Sequence, residues 1–187
     1  MTSPRRGKVT HLTAVVLIPP EDVWEPIQRI RRLHDPNIKR WMPHITLLYP
    51  FVPHALVPSA AEQVASVASR HNSLTVELAE FSVFNHPGGK VTLWLSPSQP
   101  DPVKRLQAAL EAAFPYCDEA SGYRSGYVPH MSVGVFLKRS EARIARDKLE
   151  PEWQPMRYEQ RAVSVIARSG RERDPFMVVA EAPLYAP

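Results

Sequence analysis

Apolar residues along this chain keep two rhythms, and the places where one gives way to the other mark its elements. A period of two signals a half-buried strand, and a period near 3.6 signals an amphipathic helix. Residues 11–18 (HLTAVVLI) are rich in β-branched side chains and predict a buried strand closed by Pro19-Pro20. Residues 21–34 follow with Val23, Trp24, Ile27, Ile30 and Leu33 at helical spacing, until Asp35-Pro36-Asn37 breaks the pattern. Pro43 opens a second strand, which Pro50 and Pro53 close. Ser59, with Glu62 three residues on, has the form of a capping box for a helix reaching about His71. Residues 74–84 and 90–95 read as antiparallel strands joined by a turn at His86-Pro87-Gly88-Gly89.

Residues 101–114 form the clearest amphipathic stretch, with Val103, Leu106, Ala109, Leu110 and Ala113 on one face. After a loop at 116–127, residues 129–137 return to period two, and Ser140 caps a charged helix ending near Leu149. Residues 161–167 and 176–182 complete the strands, with a turn at 170–174 between them. The order predicts an α+β fold in a single domain of two lobes, 1–187, with pseudo-repeat halves at 36–100 and 120–187. The N-terminal strand, 9–18, completes one of the sheets.

The two halves share more than their order. His44-Ile45-Thr46-Leu47 returns 86 residues later as His130-Met131-Ser132-Val133. Trp41-Met42-Pro43 precedes the first copy, Tyr127-Val128-Pro129 the second, and Phe51 and Phe136 follow. On a strand, residues i and i+2 share a face, so each copy sets an imidazole beside a hydroxyl and turns its aliphatic residues to the core. A bare His-x-Ser/Thr spacing is cheap, since four of the seven histidines satisfy it, His11 and His71 included. The proline, the aromatic and the alternating aliphatic residues set His44 and His130 apart. His11 starts a strand with Thr13 on its face but lacks that context. His34, His54, His71 and His86 fall at helix ends or in loops, where structural roles are expected.

Composition narrows the chemistry. The chain has 187 residues, 44% apolar and 22% charged, with 20 prolines against 7 glycines spread along it as rigid turns. A net charge of +4 from 23 basic and 19 acidic residues suits an anionic ligand but not an extended nucleic-acid groove. Arg5, Arg6 and Lys8 fall in an N-terminus expected to fray. The single cysteine, Cys117, rules out an internal disulfide framework and a multi-cysteine zinc site. No stretch has the form of a signal peptide or membrane span, so a soluble, cytoplasmic protein is expected, with a monomer as the default. No metal-ligand spacing or Walker-type loop is present, and neither a metal nor a cofactor is expected.

Two imidazoles and two hydroxyls facing one anion are the equipment for acid–base chemistry on a phosphate ester. Imidazole titrates near ~6.5, so one ring can take a proton from attacking water while the other donates to the leaving oxygen. Thr46 and Ser132 would donate to the non-bridging oxygens, where charge builds up in the transition state. Trp41 and Tyr127, three residues before the histidines, are candidates for stacking on a base, and Arg40 and Arg124 for meeting further phosphates.

The duplicated His-x-Thr/Ser strands on two βα-rich halves resemble the two-histidine (2H) phosphoesterase superfamily, which includes the RNA 2′,3′-cyclic phosphodiesterases long labelled 2′-5′ RNA ligases. The resemblance implies a bilobal, duplicated fold with two mainly antiparallel sheets around a central cleft and helices outside. It implies that His44 and His130 are general acid and base and that Thr46 and Ser132 hold the phosphate. The implied activity is metal-independent hydrolysis of a 2′,3′-cyclic phosphate on an RNA end or a small nucleotide. Alternatives are 2′-5′ RNA ligation by the reverse chemistry and non-catalytic binding of a nucleotide or RNA end. Many bacterial cyclic phosphodiesterases of this family carry an arginine soon after the first motif; this chain continues Leu48-Tyr49-Pro50-Phe51, and Gly134-Val135-Phe136 after the second.

Overall fold

A computed structural model of the chain describes residues 9–123, 125–171 and 174–186. Arg5, Arg6, Lys8 and Arg124 lie outside the described residues, as do two residues of the 170–174 turn. Strands β1 (Thr13–Leu17), β2 (Ile45–Leu48), β7 (Ala162–Ala167) and β8 (Met177–Pro183) form one sheet in the order β2-β1-β7-β8. Strands β5 (Met131–Phe136), β4 (Val91–Pro97), β3 (Leu74–Asn85) and β6 (Met156–Gln160) form the other, in the order β5-β4-β3-β6. Every pairing is antiparallel. The helices are α1 (Trp24–His34), α2 (Val57–Ala68), α3 (Asp101–Ala113) and α4 (Arg139–Leu149).

The alternation read from the motifs is realised on both strands. Ile45 and Leu47 of β2, and Met131 and Val133 of β5, are fully buried in one core that spans both sheets. Thr46 and Ser132 stand on the opposite faces. On β1, buried throughout as a central strand, Val15 and Leu17 join that core. Ala14 and Val16 turn the other way, to a smaller cluster with Ile166 and Phe176 on which Trp41, Met42 and Tyr49 pack.

Each sheet draws strands from both ends of the sequence. In the order β1-α1-β2-α2-β3 and again β4-α3-β5-α4-β7, with β6 interposed, the third strand of each run joins the sheet begun by the other. Helix α1 accordingly packs on β5 and α3 on β2. The unit repeated in space thus starts one strand and one helix before each motif. Sequence similarity between the two runs is visible only around the two His-x-Thr/Ser motifs.

Local expectations fail where one residue outweighs the periodicity. Leu33 is 74% exposed, and Arg31 takes its place on the buried stripe of α1 with Ile27 and Ile30. Ser59 does not cap α2: the helix starts at Val57 after a single 3-10 turn, with Pro58 in its first turn, and Ser59 Oγ donates to Leu56 O. Lys138, not Ser140, precedes α4, without a side-chain cap. Strand β6 escapes sequence reading because MRYEQ offers only Met156 and Tyr158 as apolar positions. Its alternate residues Arg157 and Glu159 are exposed, which suits an edge strand. Among the described residues no helix is long and apolar enough to cross a membrane.

Candidate active site

Each motif histidine is held in the same way. His44 Nδ1 lies 2.7 Å from Met42 O, and His130 Nδ1 lies 2.8 Å from Val128 O. A carbonyl only accepts, so in each ring Nδ1 carries the hydrogen, and Nε2 of the neutral ring keeps a lone pair. The proline after each carbonyl, Pro43 or Pro129, forces the extended backbone on which this two-residue reach depends.

The rings are close enough to sense each other. Burial pushes the His44 imidazole down to about 4. The hydrogen bond to Met42 opposes that, the Arg31 and His130 charges add to it, and Asp35 opposes it. His130 is also lowered, by burial against the pull of the Val128 carbonyl. Trp41 stacks on His44 with ring centroids 4.8 Å apart and planes at 19°. His130 meets Phe84 edge-on at 4.7 Å and Trp94 at 5.7 Å. Burial therefore favours the neutral form of both imidazoles, and an anion favours protonation of whichever ring it touches.

A cavity of about 490 Å³ is lined by His44 and Ser132 of the four motif residues, and not by Thr46 or His130. One wall is the end of α1 and the α1–β2 connection, with Arg31, Asp35, Asn37 and Trp41; the other is the second sheet and its β3–β4 turn, with Thr92 and Val135 on strands and His86 and Lys90 in the turn. A larger hollow of about 600 Å³ lies between the segment after β1 and the β6–β7 corner, but it reaches only as far as Met42 and holds neither imidazole.

Arg31, missed by the sequence reading, organises the first wall. It is 2% exposed, its Nε lies 2.9 Å from Asp35 Oδ2, and its Nη2 donates to Trp41 O at 2.8 Å. The buried ion pair thus fixes the segment that carries Trp41, Met42 and His44. Its signal was a charged residue four positions after Ile27, on the apolar stripe.

Of the other sequence candidates, Trp41 lines the cavity, although its other side is spent against Phe176 at 3.9 Å. Tyr127 is not a stacking platform. It packs against the core, and its hydroxyl donates to Thr46 O at 2.7 Å, tying the second motif segment to the first motif strand. Arg40 is partly buried beside Tyr49, its carbonyl accepts from Phe176 N, and it does not line the cavity. His86, expected as a loop residue, does line it. His11 is exposed against the edge of Tyr49, and Thr13 Oγ1 is spent on Val52 O at 2.6 Å. Cys117 is buried, and burial together with Asp118 and Glu111 pushes its thiol up to about 11, far from a nucleophilic thiolate at neutral pH. Among the described residues no three His, Cys, Asp or Glu side chains gather as a metal site.

The chain is similar to known proteins in sequence and in fold. The family model described as the 2′-5′ RNA ligase superfamily matches residues 19–172. A protein of Geobacillus kaustophilus named "Putative phosphoesterase GK0864" is 25% identical over 133 residues, 68% of this chain and 70% of that one. Among solved structures, Escherichia coli LigT complexed with ATP superposes with a TM-score of 0.61 at 19% identity, over 93% of this chain and 98% of its own. TT0787 of Thermus thermophilus gives 0.65 at 14% identity, over 92% and 97%. Usb1 of Kluyveromyces marxianus with uridine monophosphate gives 0.51 at 16% identity, over 93% and 98%. These structures share the two-sheet fold.

Proposed function

The chain belongs to the 2′-5′ RNA ligase superfamily, and from that membership we propose that it is a phosphodiesterase opening a 2′,3′-cyclic phosphate on an RNA end or small nucleotide. The observation that carries this reading is the matched pair of imidazoles, each with Nδ1 donating to the carbonyl two residues before it. That leaves two Nε2 atoms for the proton transfers of an in-line displacement. His44, whose imidazole burial presses down to about 4, is the ring kept as free base and takes the proton of the attacking water. His130 protonates the departing ribose oxygen. Thr46 and Ser132 hold the non-bridging oxygens as negative charge accumulates, each such donor being worth about 10²–10³-fold in rate. With both proton steps supplied by the protein, and ring strain in the cyclic ester, turnover persists with a chelator present.

The roles separate by leaving group. His44→Ala and His130→Ala each lower turnover of a 2′,3′-cyclic nucleotide by about 10²–10⁴-fold. A nitrophenyl phosphodiester, whose leaving group departs without a proton, restores rate to the His130 variant and not to the His44 variant. Near-normal activity of both variants on the cyclic nucleotide would end the phosphodiesterase reading. Rescue of the His44 variant alone would exchange the two roles.

A further inference from the structure

We propose that the cavity is built for two phosphates: beyond the group held at His44 and Ser132, His86 and Lys90 of the β3–β4 hairpin receive a second phosphate on the same nucleoside. This rests on the phosphodiesterase reading for the position of the first phosphate. The arrangement follows from register. Trp94 pairs with Ser132 and Thr92 with Val135, so the level of Thr92 lies two residues, about 7 Å, along the sheet from the motif serine. His86 Nε2 lies 2.9 Å from Thr92 Oγ1. With that nitrogen as donor, the threonine hydroxyl proton is free to point at a ligand oxygen.

The hairpin turn brings His86 and Lys90 to one edge. His86 N donates to Lys90 O at 2.8 Å, and Gly88 and Gly89 make the turn at φ values of 78° and 86°, which L side chains rarely adopt. The charge is in keeping. Arg31 is neutralised by Asp35 at 2.8 Å, whereas among the described residues no carboxylate pairs with Lys90. The cavity's surplus positive charge therefore sits at the hairpin. A volume of about 490 Å³ suits a whole nucleotide and is generous for one phosphate group.

The test is calorimetric titration with adenosine 2′-monophosphate and adenosine 2′,5′-bisphosphate. The wild-type protein should bind the bisphosphate about tenfold more tightly, the worth of one charge-assisted contact, with an advantage that shrinks as salt rises. Lys90→Ala should remove most of that advantage, and Lys90→Glu should reverse it. Equal affinity for the two ligands in the wild type, or a Lys90→Ala variant that weakens both by the same factor, overturns the proposal. Turnover of a 2′,3′-cyclic nucleotide by the same preparation reports separately on the catalytic reading. Turnover without a bisphosphate advantage removes the second site alone. An advantage without turnover keeps the site and removes the activity.

Discussion

Arg31 shapes the candidate site and adds to a depression of His44 that burial begins. Its guanidinium forms the ion pair with Asp35 and reaches the Trp41 carbonyl, while its charge bears on an imidazole already pressed down by burial. The proposed proton transfer to His44 needs its neutral ring, whose value of about 4 lies below the ordinary 6.5. The acidic limb of kcat/KM, which reports the free enzyme, should therefore fall below pH 6. Arg31→Gln removes the nearby charge and should move that limb upward, whereas Arg31→Lys keeps the charge and moves it less. Asp35, His86 and Lys90 line the same cavity, His130 bears on the same ring, and Asp35 loses its partner in Arg31→Gln, so the shift reports the loss of the ion pair. An unmoved limb in Arg31→Gln would show that its charge does not tune the base. The same depression couples to stability. The unfolded chain binds the His44 proton first as pH drops, so this group's contribution is full above about 6.5 and drains away toward 4.

At the level of elements, the approach of α1 to β5 depends on a missing side chain. A Cβ on Gly134 would stand 2.9 Å from His34 Cβ and 3.0 Å from Phe136 Cε2. Gly134→Ala should therefore force the helix off the strand that carries His130 and Ser132. Overpacking of this kind costs about 1–3 kcal/mol, to be read as a lower urea midpoint at unchanged slope. An unchanged midpoint would mean that α1 gives way freely. This contact also marks how far the sequence was legible. Strands β2 and β5 could be read because their alternation, prolines and repeated histidines are local signals. Gly134 was noted only as a departure from a family pattern, since nothing in the sequence tells which helix crosses a strand. The far wall of the cavity was hidden for the same reason: His86 lies 42 residues after His44, on the hairpin of the other sheet, and shares the cavity with it only because α1 and β2 pack against β5. Tyr127 was misjudged because its hydroxyl bonds to Thr46 across the molecule, where a view along the strand showed only an aromatic near a histidine.

At the scale of the whole molecule, the exchange of β3 and β7 between the two strand–helix–strand runs makes the lobes interdependent. The first sheet loses its central pairing of β1 with β7 if the C-terminal run unfolds, and the second loses β3 if the N-terminal run unfolds. The principal core crosses the boundary too, with Ile45 and Leu47 from one motif strand and Met131 and Val133 from the other in a single cluster. Neither imidazole can then keep its place while the opposite half is disordered. We expect one cooperative unit, with amides of β1 and β7 exchanging hydrogen at the same limiting free energy as those of β3 and β4, and with coincident urea transitions by fluorescence and far-UV dichroism. A fragment of residues 9–85 should remain unfolded, because its β3 has neither β4 nor β6 to pair with. Separate transitions for the two sheets, or a folded fragment, would show that each lobe stands alone. The cleft would then be an interface between two domains, and the distance between the two histidines would be free to vary with their docking.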